Sequence, residues 1–125
     1  VGRKANINFE YSLDNWNLKN VENMNSFFHT FGLNSKSPVT LDLSEWDTSN
    51  TTNMGAMFSN AYSLKTIYVS DKFDTSKVTE SRYMFYNCNL VGGNGTVYNS
   101  SKIDKEYARI DTPETPGYFT LKTTE

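Results

Sequence analysis

The sequence has little of the chemistry on which enzymes and metal sites depend. Its 125 residues include one histidine, His29, and one cysteine, Cys88. A single cysteine excludes an internal disulfide and a zinc site built from cysteines. A nucleophilic Cys88 would need a nearby base, and the sequence indicates none. His29 is not expected to act as a general base, because its position in the other two copies is filled by Ser59 and Tyr86. We therefore predict no catalytic residue, no metal and no cofactor, and we expect Cys88 to be a small buried residue.

The sequence also lacks an excess of positive charge and a long apolar run. It has 12 basic and 14 acidic residues, a formal charge of −2, and the basic residues are scattered. Nucleic-acid binding favours a continuous basic surface, so no nucleic-acid partner is expected. No apolar stretch approaches the roughly 18 residues of a membrane-spanning helix. We therefore expect no direct membrane insertion, and a single domain with a real core.

What the sequence does contain is one motif that occurs in three copies. The second copy, WDTSNTTNMGAMFSN, begins at Trp46, and the third, FDTSKVTESRYMFYN, begins at Phe73. A less similar first copy, WNLKNVENMNSFFHT, begins at Trp16. Recurrence at this spacing is typical of structural units that stack on one another. We predict a single repeat domain over residues 1–125, made of repeat 1 at 11–40, repeat 2 at 41–66, repeat 3 at 67–91 and a C-terminal cap at 92–125.

Each copy is predicted to contain a short strand and a short helix. An alternating triplet precedes the first aromatic residue of each copy, which indicates a strand with one buried face. Beyond the turn, apolar residues recur at i, i+3, i+6 and i+7, as at Val21, Met24, Phe27 and Phe28. This is the spacing of one helical face. Asp47 and Asp74 in the turns are expected to cap the helices, although stacked carboxylates also fit a cation site.

Stacking would bury the apolar faces that one strand and one helix cannot bury alone. We predict a parallel ladder in which Leu41 lies beside Ile67. Inside the ladder we expect one column of aromatic rings, made of Phe28, Phe58 and Phe85. The chain from residue 92 onward, with its glycines, prolines and brief extended stretches, is expected to cover the open end of the ladder.

Two of the copies and the tail resemble a known family. Residues 41–64 match the pattern LDLSxWDTSxVTNMxxMFxxCxxL of the BspA-like leucine-rich-repeat surface proteins, with Thr51 in place of Val and Ala61 in place of Cys. Residues 67–90 match it with Cys88 retained, and residues 90–120 are similar to the terminal segment of that family. The resemblance implies a right-handed strand–helix solenoid on bacterial cell surfaces, with adhesin or host-interaction roles and no catalytic residues.

The repeats and the resemblance together give the predicted fold class. It is an α/β fold, a short right-handed, leucine-rich-repeat-like strand–helix solenoid with a parallel strand ladder and a β-rich C-terminal cap. Trp16 and Trp46 would suit a sugar-stacking platform if they were exposed. Because they share a repeat position with Phe73, we predict that they are core residues.

The expected binding surface is the concave face of the strand ladder. Its predicted ligand-binding residues are the outward-facing Ser12, Asp42 and Tyr68, flanked by Glu45 and Asp71. Tyrosine among short polar groups suits contact with proteins. We predict a non-catalytic, extracellular binding module of adhesin type, with a host or matrix protein or another cell-surface protein as partner. The alternative is a structural spacer that displays another domain, and an enzyme is the least favoured interpretation.

Overall fold

The fold is organised around one parallel sheet. The computed structural model describes residues 9–12, as backbone only, and residues 18–122. The strands are β1, Phe9–Ser12; β2, Val39–Asp42; β3, Leu64–Val69; and β4, Phe119–Leu121. They pair in parallel in the order β1-β2-β3-β4, and a 3₁₀ helix spans Lys105–Tyr107. The predicted core position of Trp16 lies outside the described residues.

The alternation within the strands sets the two faces of the sheet. Leu41 pairs with Ile67, as predicted, and Ile67 pairs with Phe119. All three side chains are fully buried. Because successive side chains of a strand point to opposite faces, the next register row lies on the outer face. That row consists of Asp42, Tyr68 and Thr120.

The predicted helices do not form. No α-helix occurs among residues 9–12 and 18–122, so the predicted strand–helix solenoid is wrong. A run of tight turns stands in place of each helix. In every copy, two residues four positions apart adopt a positive φ, between 52° and 63°; they are Ser26 and Thr30, Ala56 and Asn60, and Tyr83 and Asn87. A left-handed residue at every fourth position is incompatible with a right-handed helix.

Backbone hydrogen bonds explain why turns replace the helices. In the second copy, every second N–H group from Met57 to Ala61 bonds to the carbonyl three residues back. The intervening N–H groups, from Met54 to Asn60, instead donate to carbonyls of the third copy at 2.7–2.9 Å. The first copy donates to the second in the same way. Half of the backbone donors therefore join neighbouring copies, whereas an α-helix would use them internally.

The apolar spacing could not distinguish these two structures. A run of β-turns, each closed by a bond to the carbonyl three residues back, and a helix of 3.6 residues per turn both bring positions i, i+3 and i+6 to one side. Met54, Met57 and Phe58 are completely buried, so the predicted buried face is confirmed although its backbone is not helical. The first copy departs at Phe27, which is 38% exposed where Met57 is fully buried.

Replacing Ala56 by glycine should raise the free energy of unfolding by up to about 1 kcal/mol. The φ of Ala56 is 52°, a region that costs an L-residue roughly 1–2 kcal/mol and that glycine adopts freely. The greater freedom of the unfolded glycine chain offsets roughly 0.4–1 kcal/mol of this gain. Chemical denaturation measures the sign of the stability change. That sign distinguishes the turn from a helix, since glycine inside an α-helix would lower stability by about 1 kcal/mol. Ser59→Gly, at a neighbouring position with negative φ, is the control and should be destabilising.

The aromatic column predicted from the repeats is confirmed. The rings of Phe28 and Phe58 stack at 5.5 Å with an interplanar angle of 4°, and those of Phe58 and Phe85 stack at 5.6 Å and 5°. Trp46 is fully buried and packs 5.4 Å from Phe28. The core interpretation of Trp46 is therefore correct, and this residue offers no platform for sugars.

The C-terminal segment covers the third copy but is not rich in β structure. Within residues 92–122 it contains only β4 and the 3₁₀ helix as regular elements, so a β-rich cap is wrong. The Phe85 N–H donates to the Ile103 carbonyl at 2.9 Å, just as the Phe58 N–H donates to Met84. The buried Tyr118 ring lies 5.1 Å from Phe85, edge to face. The segment therefore packs on the third copy as a further copy would, although its only strand is the three-residue β4.

A buried carboxylate organises this irregular segment. Asp111 Oδ2 accepts the N–H groups of Asn94 and Thr96, each at 2.9 Å. Its Oδ1 accepts the Thr96 hydroxyl at 2.7 Å and the Gly117 N–H at 3.2 Å. Burial acts to raise the pKa of Asp111, but these hydrogen bonds outweigh it and hold the pKa below its usual value. The carboxylate thus fixes two loops that share no repeat pattern.

Candidate binding face of the sheet

Three side chains meet on the outer face of the sheet. Asp42 ends β2 and pairs in register with Tyr68 of β3. Lys122 directly follows β4, and its N–H donates to the Val69 carbonyl at 2.9 Å. The Lys122 ammonium lies 3.1 Å from Asp42 Oδ2 and 4.8 Å from the centre of the Tyr68 ring. Lysine, tyrosine and aspartate therefore form one cluster, which we call the outer-face cluster.

Asp42 is more buried than the sequence predicts. It lies on the outer face, yet it is only 6% exposed. Burial acts to raise the pKa of Asp42, but hydrogen bonds from Ser44 and the ion pair with Lys122 outweigh it and lower the pKa. Asp42 is therefore a carboxylate at neutral pH. It acts as the anchor for Lys122, and the half-buried Tyr68 ring and the lysine side chain form the accessible part of the cluster.

The remaining predicted residues are placed differently. Ser12 pairs with Asp42 through its backbone in β1, and its side chain lies outside the described part of the chain. Glu45 is exposed and forms an ion pair of 3.0 Å with Lys72. Asp71 lines a separate cavity of about 350 Å³ with Arg109 and other residues. Of the four predicted side chains that are described, Asp42 and Tyr68 are the two that share the outer-face cluster.

Lys122 is the residue that the sequence interpretation missed. One of the brief extended stretches predicted in the tail covers residues 118–121, and Lys122 follows it directly. The strand with which that stretch pairs could not be predicted, because the tail departs from the repeat and cannot be aligned with the copies. The weak signal was the alternation of buried Phe119 with the outward Thr120 in a segment ending in lysine.

The stacked aspartates of the turns act on the backbone. Asp47 accepts the Ser49 N–H at 2.9 Å, and Asp74 accepts the Ser76 N–H at 2.8 Å. Hydrogen bonds from these serines lower the pKa of each aspartate. Within residues 18–122, no three His, Cys, Asp or Glu side chains come together to hold a metal ion. The aspartates therefore close turns, although the helices that they were expected to cap are absent.

Cys88 is the small buried residue that the sequence predicts. It is 7% exposed, and its Sγ donates a hydrogen bond to the Phe58 carbonyl at 3.0 Å. Burial raises the pKa of the Cys88 thiol to about 12. The thiolate is the nucleophilic form, so this side chain is unreactive at neutral pH and serves packing.

The sequence identifies a family for this fold. Residues 3–112 match the family described as "Mycoplasma protein of unknown function, DUF285". The chain belongs to this family. No curated protein matches the chain, and no solved structure does. The DUF285 match spans β1 to β3 and ends before β4, so Lys122 lies outside the matched region.

Membership of the DUF285 family assigns no chemistry to the chain. Its description states no activity, so a function has to be argued from the surface of the molecule. In the described residues, no helix is long and apolar enough to cross a bilayer. The outer-face cluster is the part of the predicted binding surface in which two predicted residues, Asp42 and Tyr68, contact the same side chain.

Proposed function

We propose that the chain is a non-catalytic, cell-surface binding module of adhesin type. Its binding surface is the outer-face cluster with the neighbouring sheet surface. The resemblance to BspA-like surface proteins supports the location, and a host or matrix protein or another cell-surface protein is the proposed partner. Each sheet row is only four strands wide, which favours weak binding by one module. Several modules on one parent protein would raise the overall affinity through multivalency.

The observation that carries this proposal is the arrangement of Lys122 over Tyr68. The ion pair with Asp42 holds the lysine, and the lysine in turn covers one face of the tyrosine ring. Both side chains are therefore ordered before a partner arrives, which lowers the entropy lost on binding. Tyrosine is enriched among the residues that dominate protein–protein affinity. A preorganised tyrosine with an adjacent cation suits a polar protein surface that presents a carboxylate.

The spacer alternative has its own support in the structure. Backbone hydrogen bonds join each copy to the next through their turn segments, and the phenylalanine column runs through all three copies. Such a stack is stiff and can be lengthened by further units. A spacer needs no particular side chain on the outer face, and this difference separates the two functions.

Replacing Tyr68 by alanine is expected to reduce adhesion at least about tenfold, as for loss of a central interface residue. Beads that carry the domain would be tested on purified matrix proteins and on epithelial cells. The double variant Tyr68→Ala with Asp42→Ala should reduce adhesion further, because it also releases Lys122. Tyr62→Ala removes an exposed tyrosine away from the sheet face and serves as the control. Unchanged adhesion by folded Tyr68 variants would reject the outer-face proposal and favour the spacer.

A further inference from the structure

The turn segments form a second surface, distinct from the sheet face. An open groove of about 390 Å³ runs across all three copies at this surface. Two repeat positions supply most of its lining. We call it the turn-face groove, and its residues are Ser26, His29, Ala56, Ser59, Asn60, Tyr83 and Tyr86. It shares no residue with the outer-face cluster.

Two exposed rings stand at one side of this groove. Tyr83 is 54% exposed and Tyr86 is 49% exposed. Their ring centres lie 5.7 Å apart at an interplanar angle of 72°. The second copy has the small Ala56 and the buried Ser59 at the corresponding positions, so the middle of the groove is low beside the rings. Two aromatic faces therefore border a depression instead of packing into the core.

The backbone at Tyr83 gives an independent reason to expect a role for its ring. Its φ is 61°, and a bulky residue with positive φ is an outlier. Ser26 and Ala56 occupy this position in the other copies, so the turn does not require an aromatic residue. Because the ring is half exposed, its burial offsets little of the strain. Strained residues of this kind are concentrated at binding sites.

The polar side chains that line the groove carry hydroxyl groups, one amide and one imidazole. Its lining includes no Lys, Arg, Asp or Glu. The Asn60 Oδ1 accepts a hydrogen bond from the Asn87 amide at 3.0 Å, which orients the Asn60 NH₂ group as a donor. Ser59 and His29 add a hydroxyl and an imidazole at the next repeat position. Such a surface offers a charged ligand no carboxylate, ammonium or guanidinium group as a partner.

We propose that the turn-face groove is a binding site for neutral carbohydrates. A pyranose ring has an apolar C–H face that stacks on an aromatic ring, and its edge carries hydroxyl groups that need hydrogen-bond partners. Tyr83 and Tyr86 supply the aromatic faces, and Asn60 and the exposed His29 supply the hydrogen bonds. The distance between the rings suits two sites of contact on one short oligosaccharide. A protein ligand would gain less here, since the groove is shallow and offers no apolar anchor pocket.

The site is tested by titration of the labelled domain with defined sugars. Maltotriose, lactose and triacetylchitotriose serve as neutral probes, and 3′-sialyllactose is the charged comparison. At least one neutral sugar is expected to shift the backbone amide NMR signals of Ser59, Asn60 and Tyr83 in a saturable way. Tyr83→Ala and Tyr86→Ala should each weaken that binding about tenfold or more. Tyr62→Ala, an exposed tyrosine outside the groove, should leave it unchanged.

Three results would overturn the carbohydrate site. They are the absence of saturable shifts with all three neutral sugars, shifts that map away from the groove, and equal weakening by Tyr62→Ala. A further result would assign the groove to protein contact instead. The domain would then bind none of the sugars but would adhere to enzymatically deglycosylated matrix protein, and Tyr83→Ala would abolish that adhesion. Because Tyr68 is not part of the groove, failure of this site leaves the outer-face proposal standing, and the reverse also holds.

Discussion

Replacing Phe58 by alanine is expected to lower the free energy of unfolding by about 3–5 kcal/mol. Phe58 is the middle ring of the column and stacks on Phe28 and Phe85 on its two sides. It also contacts Phe119 at a centroid distance of 6.4 Å. Neighbours held by backbone bonds on both sides can relax only partly into the space, so most of the cavity should persist. Urea denaturation followed by circular dichroism measures the change.

The control for this prediction removes an equally aromatic but exposed side chain. Tyr62 is 47% exposed, and its replacement by alanine should change stability by no more than about 0.5 kcal/mol. An effect of Phe58→Ala as small as that of Tyr62→Ala would contradict the continuous column. A loss of cooperativity in the unfolding curve would show that the copies had become uncoupled.

Replacing Asp111 by alanine is expected to destabilise the fold by about 3 kcal/mol at neutral pH. The carboxylate accepts four hydrogen bonds, including backbone N–H groups of Asn94, Thr96 and Gly117. Hydrogen bonds to a charged group contribute roughly 1.5–3 kcal/mol, and a buried donor left without a partner adds to the loss. Chemical denaturation of both proteins at neutral pH measures the difference.

The pH dependence of that difference identifies the charge as its cause. The folded pKa of Asp111 lies below its unfolded value, so its contribution is present above about pH 3.9, the unfolded value, and is lost as pH falls through the folded pKa. The gap between the wild type and Asp111→Ala should therefore shrink in acid. Glu114→Ala, which removes an exposed carboxylate of the same segment, serves as the control. A gap that stays constant down to about pH 2 would contradict this assignment.

The sequence predicted the stacking of the copies much better than their local backbone. Repeat spacing placed Leu41 beside Ile67 and aligned Phe28, Phe58 and Phe85, because these contacts depend only on which positions recur. The predicted helices were wrong because the apolar spacing fits both a helix and a run of β-turns. Residues such as Asn60 and Asn87 tolerate a left-handed conformation, but Ala56 and Tyr83 give no such indication. Their conformation is imposed by bonds to the neighbouring copies.

The candidate surfaces were predictable only where they follow the repeat. Tyr68 and Asp42 could be placed on the outer face from the alternation of the strands. Lys122, which covers the Tyr68 ring, comes from a segment without repeat spacing. Its position depends on the pairing of β4 with β3, which no local sequence pattern predicts. The groove beside Tyr83 and Tyr86 was missed for a different reason. A helical interpretation gives these side chains an ordinary exposed face, and the depression beside them depends on the turns that replace the helix.

The alternation of backbone bonds in the turn segments also limits how such a chain can vary in length. A single residue added or lost between Met54 and Ala61 would exchange the local and inter-copy roles of every later N–H group in that segment. The distance from Trp46 to Phe58 is 12 residues, and the same holds from Phe73 to Phe85. By contrast, Phe28 and Leu41 are 13 residues apart, whereas Phe58 and Ile67 are separated by 9. The turn segments thus keep a constant length in these copies. The differences in length lie in the return loops, which lack this alternation of local and inter-copy hydrogen bonds.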